Sequence, residues 1–237
     1  MGGIKQFLRR LAGRNIWLYS IYHRRNRPRI GKKTSFFPEG TELYIDGYPR
    51  SGNTFLVHLC RRLFPDITIA SHLHKIAPIR FMLRKGVRVL ITFRDPLESV
   101  SSNYLMYFSS RNGDMPDKIS NRVLRLLLND YIEYYSFVLK HRENLSLVSF
   151  RRLTSETQKV ADQLAQVIRQ PSISEPQLAA AVSSYKASSE SKANPLISMV
   201  PTPEKDRLKE GIRDVMRSEA LLEKAQHIYK ELLKLQA

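Results

Sequence analysis

Two kinds of hydrophobic run alternate through the middle of the chain. Leu43-Tyr-Ile45, Asp66-Ile-Thr-Ile-Ala70, Val87-Arg-Val-Leu-Ile-Thr-Phe93 and Leu145-Ser-Leu-Val-Ser-Phe150 are short and rich in strand formers. Between them, apolar positions recur at helical spacing: Phe55, Leu56, Leu59 and Leu63, then 76–83 closed by Gly86, then Val100, Tyr104, Tyr107 and Phe108. A long helix is predicted over 118–141, and its aromatic stripe reads as core. Strands alternating with helices predict an α/β fold with a central parallel β-sheet flanked by helices and right-handed crossovers. After the last strand the pattern is helical. Thr154 is the predicted cap of a helix burying Val160, Leu164, Val167 and Ile168, and Ser174-Glu-Pro-Gln177 fits a capping box for a short helix. Residues 109–116 and 186–203 read as polar loops, the second as mobile, and two helices, 204–217 and 219–236, close the chain. No internal repeat is visible.

Charge separates the first residues from the rest. The formal net charge is +17, and residues 1–33 hold ten Lys or Arg and no acid. Ile4, Phe7, Leu8 and Leu11, then Trp17, Leu18, Ile21 and Tyr22, form apolar faces beside those cations. A basic amphipathic segment, 1–40, therefore precedes a domain over 41–237. Three partners fit such a segment: an anionic membrane surface, the chain's own domain or a second subunit, and nucleic acid. No zinc-finger, RNP or helix-turn-helix signature supports nucleic acid, which is not the expected partner. No run approaches the ~18 apolar residues of a spanning helix, no signal-peptide core is visible, and Gln6 breaks the acylation pattern that Gly2 would begin. The single cysteine, Cys60, excludes an internal disulfide and a cysteine zinc site and suits core packing in a reducing compartment. The expected location is cytoplasmic, peripheral at the inner face of a membrane.

The candidate chemistry lies where strands end. After 43–45 come Gly47, Pro49, Arg50, Ser51, Gly52 and Asn53, a sharp turn that runs into the first helix. A helix N-terminus offers free N–H groups and the positive end of the dipole to an anion. Arg50 adds a fixed charge, and Ser51, Asn53 and Thr54 add donors. The Walker pattern G-x-x-x-x-G-K-[ST] is absent, which weakens a nucleoside-triphosphate reading. After 87–93 come Arg94, Asp95 as N-cap, Pro96 at the first helical position, and Ser102 two turns on. In open α/β sheets ligands bind at the carboxyl ends of strands, so two such bends can hold two anionic groups of one ligand.

Tyr48-Pro-Arg-Ser-Gly-Asn-Thr-Phe55 resembles the 5′-phosphosulfate loop of sulfotransferases that use 3′-phosphoadenosine 5′-phosphosulfate (PAPS), and Arg94-Asp-Pro-x5-Ser102 resembles their 3′-phosphate motif. The resemblance spans roughly Tyr44 to Pro195. It implies a P-loop-like sulfotransferase fold with PAPS as sulfuryl donor and no metal. By the same resemblance Arg50 contacts the phosphosulfate, Ser51, Gly52, Asn53 and Thr54 donate to the 5′-phosphate, Arg94 and Ser102 hold the 3′-phosphate, and Phe55, Phe150 and Tyr185 flank adenine. Histidine suits a general base near neutral pH. His72 is the first candidate, because it lies 22 residues before Arg94, an interval similar to that in the cytosolic members of the resembled family, and His74 is the reserve. The pattern departs from the family at three places. Ala70 stands where a lysine is usual, with Lys75 a displaced substitute; Arg151 stands where an acid is usual; and the C-terminal R-K-G-x-x-G-x-W motif is missing, with Arg207 or Lys209-Glu-Gly211 as partial replacements. The expected reaction is sulfuryl transfer to an acceptor hydroxyl of a glycan or glycolipid. The alternatives are a non-catalytic relative that binds nucleotide or anionic lipid, and a small-molecule P-loop kinase.

Overall fold

A computed structural model describes Gly13, residues 15–19, Ile21 and residues 40–112, 118–190 and 203–236. The readings made for most of the N-terminal segment, for 113–117 and for 191–202 lie outside the described residues. Four strands, β1 (Leu43–Gly47), β2 (Ile69–Ser71), β3 (Arg88–Phe93) and β4 (Ser146–Ser149), form one sheet in the order β2-β1-β3-β4, with every pairing parallel. The helices between them are α1 (Asn53–Leu63), α2 (Ile76–Arg84), α3 (Pro96–Asn112) and α4 (Asn121–Lys140). After β4 come α5 (Phe150–Ser155), α6 (Thr157–Ile168), α7 (Glu175–Glu190), α8 (Pro203–Arg217) and α9 (Leu221–Lys234).

The period of two along each strand divides the core into two layers. Leu43, Ile45, Leu90 and Val148 pack on one side with residues of α1, α6 and α7. Tyr44, Val89, Ile91, Phe93 and Leu147 pack on the other with residues of α2, α3, α4, α8 and α9. Covering on both faces is what makes these strands almost wholly buried. Tyr131, Tyr134 and Tyr135, the aromatic stripe of α4, are core as expected. Cys60 is buried, and desolvation pushes its thiol up to about 12, so it behaves as a small apolar side chain.

Helix α2 runs as predicted through Pro78, which is the third helical residue, where the N–H has no intrahelical partner to lose. Several other boundaries differ from the sequence reading. Phe150 begins α5 instead of ending β4, because Ser149 caps the helix by accepting from the Arg152 N–H at 3.2 Å. Thr154 is therefore inside a helix, its hydroxyl donating back to the Phe150 and Arg151 carbonyls, and Glu156 takes the cap position of α6. Gln177 Oε1 accepts from the Ser174 N–H at 3.1 Å, one half of the anticipated capping box, but the helix it opens is 16 residues long and continues to Glu190. Residues 109–112 also belong to a helix, the end of α3.

Candidate functional site

All four strands end at the same edge of the sheet, and each delivers at least one group to it. Arg50 follows β1, His72 and His74 follow β2, Arg94 follows β3 and Phe150 follows β4. The order reverses at β1, since β2 lies on one side of it and β3 on the other. That is the position at which an open α/β sheet leaves a crevice. A cavity of about 610 Å³ opens there, lined by Arg50, Gly52, Asn53, Thr54, Phe55, His72, His74, Arg94, Phe150 and Tyr185 among others.

The loop after β1 is held from inside. Asn53 Nδ2 donates to the Gly47 and Tyr48 carbonyls, both at 3.3 Å, and the Thr92 hydroxyl donates to Asn53 Oδ1. Tyr135 OH accepts from the Tyr48 N–H at 3.1 Å, donates to the Thr92 carbonyl at 2.9 Å and lies 3.1 Å from Ser51 Oγ. The side chains of Ser51 and Asn53 are thus engaged with the protein, and the Ser51 N–H donates to the Tyr48 carbonyl at 3.2 Å, so what this pair can offer an anion is the backbone N–H of Asn53. Gly52 caps α1 at φ 97°, a conformation suited to glycine, and a Cβ there would lie 2.9 Å from both Leu153 and Phe150. The N–H groups of residues 52–55 open α1, where a helix supplies no internal acceptor.

The two arginine bends adjoin each other. Arg94 Nη1 donates to the Arg50 carbonyl at 3.3 Å, and Arg50 Nε donates to Ser102 Oγ at 2.9 Å. Ser102 therefore touches Arg50, whose bend adjoins that of Arg94. Arg94 lies 4.1 Å over the ring of Phe150 and donates to Glu98 Oε2 at 3.0 Å. Desolvation, then the charge of the neighbouring Arg94, pulls the Arg50 guanidinium below its ordinary value, and desolvation does the same to Arg94 against the opposing pull of Glu98. Like charges brought together and half-buried are the electrostatic signature of an anion site. Phe55 and Tyr185 form a tilted ring pair at 4.7 Å in the cavity wall.

The two imidazoles are shifted in opposite directions. His72 Nδ1 lies 2.9 Å from Ser71 Oγ and Nε2 lies 3.2 Å from Thr54 Oγ1. Its outer edge is exposed, yet desolvation, then the charge of His74, pushes the imidazole down to about 4, against an opposing pull from Asp46. A ring held neutral at pH 7 can accept a proton. Burial is the largest single influence on His74 and opposes its charge, but the Asp46 carboxylate and the Gly47 carbonyl together outweigh it and raise the imidazole above its ordinary value.

Three groups at the site escape the motifs. Asp46, fully buried in β1, stands under His74. Its signal was an acid inside an otherwise apolar strand. Lys205 is 3% exposed on α8, and desolvation, then the charge of Arg50, pushes its ammonium down to about 8. Arg213, further along α8, lies 2.6 Å from Glu98 Oε1, so Glu98 bridges it to Arg94. Lys205, Lys209 and Arg213 fall at i, i+4 and i+8 on α8, a spacing that identifies one face. Ala70 is buried in β2, and Lys75 lines a separate, smaller cavity with His74 and Tyr134. Among the described residues no cluster of three or more His, Cys, Asp or Glu has the arrangement of a metal site.

No family model and no curated protein matches the sequence. Among solved structures, the mouse sulfotransferase SULT7A1 complexed with PAP is similar to this chain at 13% identity, with 82% of this chain and 91% of that one covered and a TM-score of 0.49. A likeness of that size identifies neither a site residue nor a reaction in this protein.

Proposed function

We propose that the protein is a sulfotransferase that moves a sulfuryl group from PAPS to an acceptor hydroxyl. The observation that carries this reading is the junction of Arg50 and Arg94 on adjoining strand ends, in a cavity whose remaining wall includes the Phe55–Tyr185 pair and Phe150. Two fixed cations beside aromatic rings suit a ligand with two anionic groups and a flat base. In this proposal the first-turn N–H groups of α1 and Arg50 bind the phosphosulfate, Arg94 binds the 3′-phosphate, and Ser102 contributes to that end while orienting Arg50. His72 takes the proton of the attacking hydroxyl. The donor supplies an activated sulfur whose bridging oxygen leaves with the electron pair, and no metal is needed for that displacement. Sulfuryl transfer shares with phosphoryl transfer a dependence on positioning and charge stabilisation.

Within the same proposal the acceptor is a glycan or lipid-linked hydroxyl, and the protein works in the cytoplasm against an anionic membrane surface. Supporting the second part, residues 16–19 form a helical turn whose Ile16 and Tyr19 pack on the domain while Trp17, Leu18 and Ile21 are exposed. No helix among the described residues is long and apolar enough to cross a membrane.

Calorimetry with 3′-phosphoadenosine 5′-phosphate tests the nucleotide part. The parent protein is expected to bind it, with Arg50→Ala and Arg94→Ala each weakening binding at least about tenfold, the scale of a lost charge-assisted hydrogen bond. Absence of binding refutes the reading. Labelled PAPS then separates an enzyme from a binding protein: transfer that His72→Ala abolishes supports the former. Binding without transfer to any acceptor hydroxyl, unchanged by His72→Ala, supports the non-catalytic relative, which the loss of lysine at Ala70 favours. Magnesium-dependent ATP turnover would instead mark a kinase.

A further inference from the structure

The segment after β2 is held in an uncommon backbone. His72 and His74 have φ of 62° and 50°, and Arg50 across the cavity has φ of 70°. Non-glycine residues in this region cost energy and persist where the surroundings over-determine them. For His74 the determinant is Asp46. Its Oδ2 accepts from the His74 N–H at 2.9 Å and from Tyr44 OH at 2.6 Å, and its Oδ1 lies 3.1 Å from His74 Nδ1. His74 Nδ1 is also 2.7 Å from the Gly47 carbonyl, so this nitrogen carries a proton whatever the charge of the ring. These contacts leave Nε2, and His74 lines both the strand-end cavity and the smaller one beside it. A carboxyl group with no exposure is stabilised by hydrogen bonds and by a neighbouring cation, and the ring beside it can supply both.

We infer that Asp46 and His74 form a charge-holding dyad, in which Asp46 keeps His74 an imidazolium whose Nε2–H stabilises the transferring group while neutral His72 takes the proton. Its catalytic half rests on the sulfotransferase reading. The acceptor oxygen bonds to sulfur, the bridging S–O bond breaks with its electrons going to the leaving phosphate, and the acceptor proton moves to His72. His74 donates a hydrogen bond and keeps its proton. It would thereby supply the positive charge absent at Ala70. Asp46 acts as a positioning residue. The charged and titratable groups around His74 are Asp46, Tyr44 and Arg50 from the β1 side, His72 and Lys75 from its own segment, and Asp130, Glu133 and Tyr134 from α4.

Two measurements on the full chain test it. Histidine-selective NMR is independent of any ligand: His74 should titrate above the ordinary imidazole value, and Asp46→Asn should bring it down by a pH unit or more. A ring that titrates at or below the ordinary value, or one unmoved by Asp46→Asn, overturns the dyad. In the transfer assay the parent should lose kcat as pH rises through the His74 value, Asp46→Asn should shift that limb to lower pH, and His74→Gln should remove it with kcat down about 100-fold, the scale of one lost stabilising donor. Binding of 3′-phosphoadenosine 5′-phosphate should persist in folded His74→Gln. A basic limb that survives His74→Gln overturns the catalytic role. Failure of the parent to bind this nucleotide refutes the proposed function and the catalytic role with it, while the NMR titration still decides the dyad.

Discussion

Tyr135 shows how one hydroxyl can hold a site together. It bonds to the Tyr48 N–H, the Thr92 carbonyl and Ser51, and so joins the loop after β1 to the end of β3. Tyr135→Phe keeps the ring and its packing and leaves buried groups without a partner. At about 1–3 kcal/mol for each such group, urea denaturation should show clear destabilisation, and nucleotide binding should weaken with it. Stability unchanged by Tyr135→Phe would mean that Asn53 and the arginine contacts hold the loop without it. At the same scale, His74 predicts a pH dependence of folding. Its imidazole is raised in the fold, so its contribution is fully present below the unfolded value, about 6.5, and is lost as pH rises through the folded value. Urea midpoints of the parent should therefore fall between pH 6 and 9 relative to those of His74→Gln, and parallel curves would contradict the Asp46 pairing.

Among elements, the turn from β1 into α1 concentrates the constraints. Gly52 is the left-handed cap, and Leu153 and Phe150 close the space over it. Gly52→Ala combines backbone strain of about 1–3 kcal/mol with displacement of Phe150, the ring under Arg94, so thermal denaturation and nucleotide affinity should both suffer. Loss of one without the other would separate the cap from the cavity wall. Elements of this kind were legible in the sequence where local chemistry decides them. Asp95 and Pro96 open α3 as anticipated, with the Glu98 N–H donating to Asp95 Oδ1 at 3.2 Å, and the parallel sheet followed from the alternation of runs. What was illegible depends on partners distant in the chain. Nothing local distinguishes the Ser149 cap from a strand continuing to Phe150. Nothing near residue 94 announces that Glu98 will be shared with Arg213 of α8. Likewise Ser51 and Asn53 could be assigned to the loop from its motif, but not the fact that their side chains are turned to Tyr135 and Thr92.

For the molecule as a whole, the charge distribution poses the remaining question. Ten cations and no acid lie in residues 1–33, which hold the chain's single tryptophan. Trp17 is 68% exposed, whereas Tyr19, two residues on, is buried in the domain. The turn at 16–19 can thus keep one face on the protein while offering the other to a second surface, so domain packing and membrane contact are compatible. Apolar residues flanked by cations bind anionic bilayers through burial and electrostatics together, and the electrostatic share is screened by salt. The lone tryptophan makes the prediction specific. Vesicles containing phosphatidylserine should shift Trp17 emission to the blue, vesicles of neutral phosphatidylcholine should shift it less, and raising the salt from about 0.1 M to 1 M, which shortens the screening length from about 10 Å to 3 Å, should reverse most of the change. Trp17→Ala with Ile21→Ala should abolish sedimentation with the anionic vesicles while leaving nucleotide binding intact, since neither side chain lines the strand-end cavity. If emission is indifferent to lipid charge and the double variant sediments like the parent, the basic segment does not dock on membranes, and an acceptor embedded in a bilayer loses its support even if sulfuryl transfer itself is demonstrated.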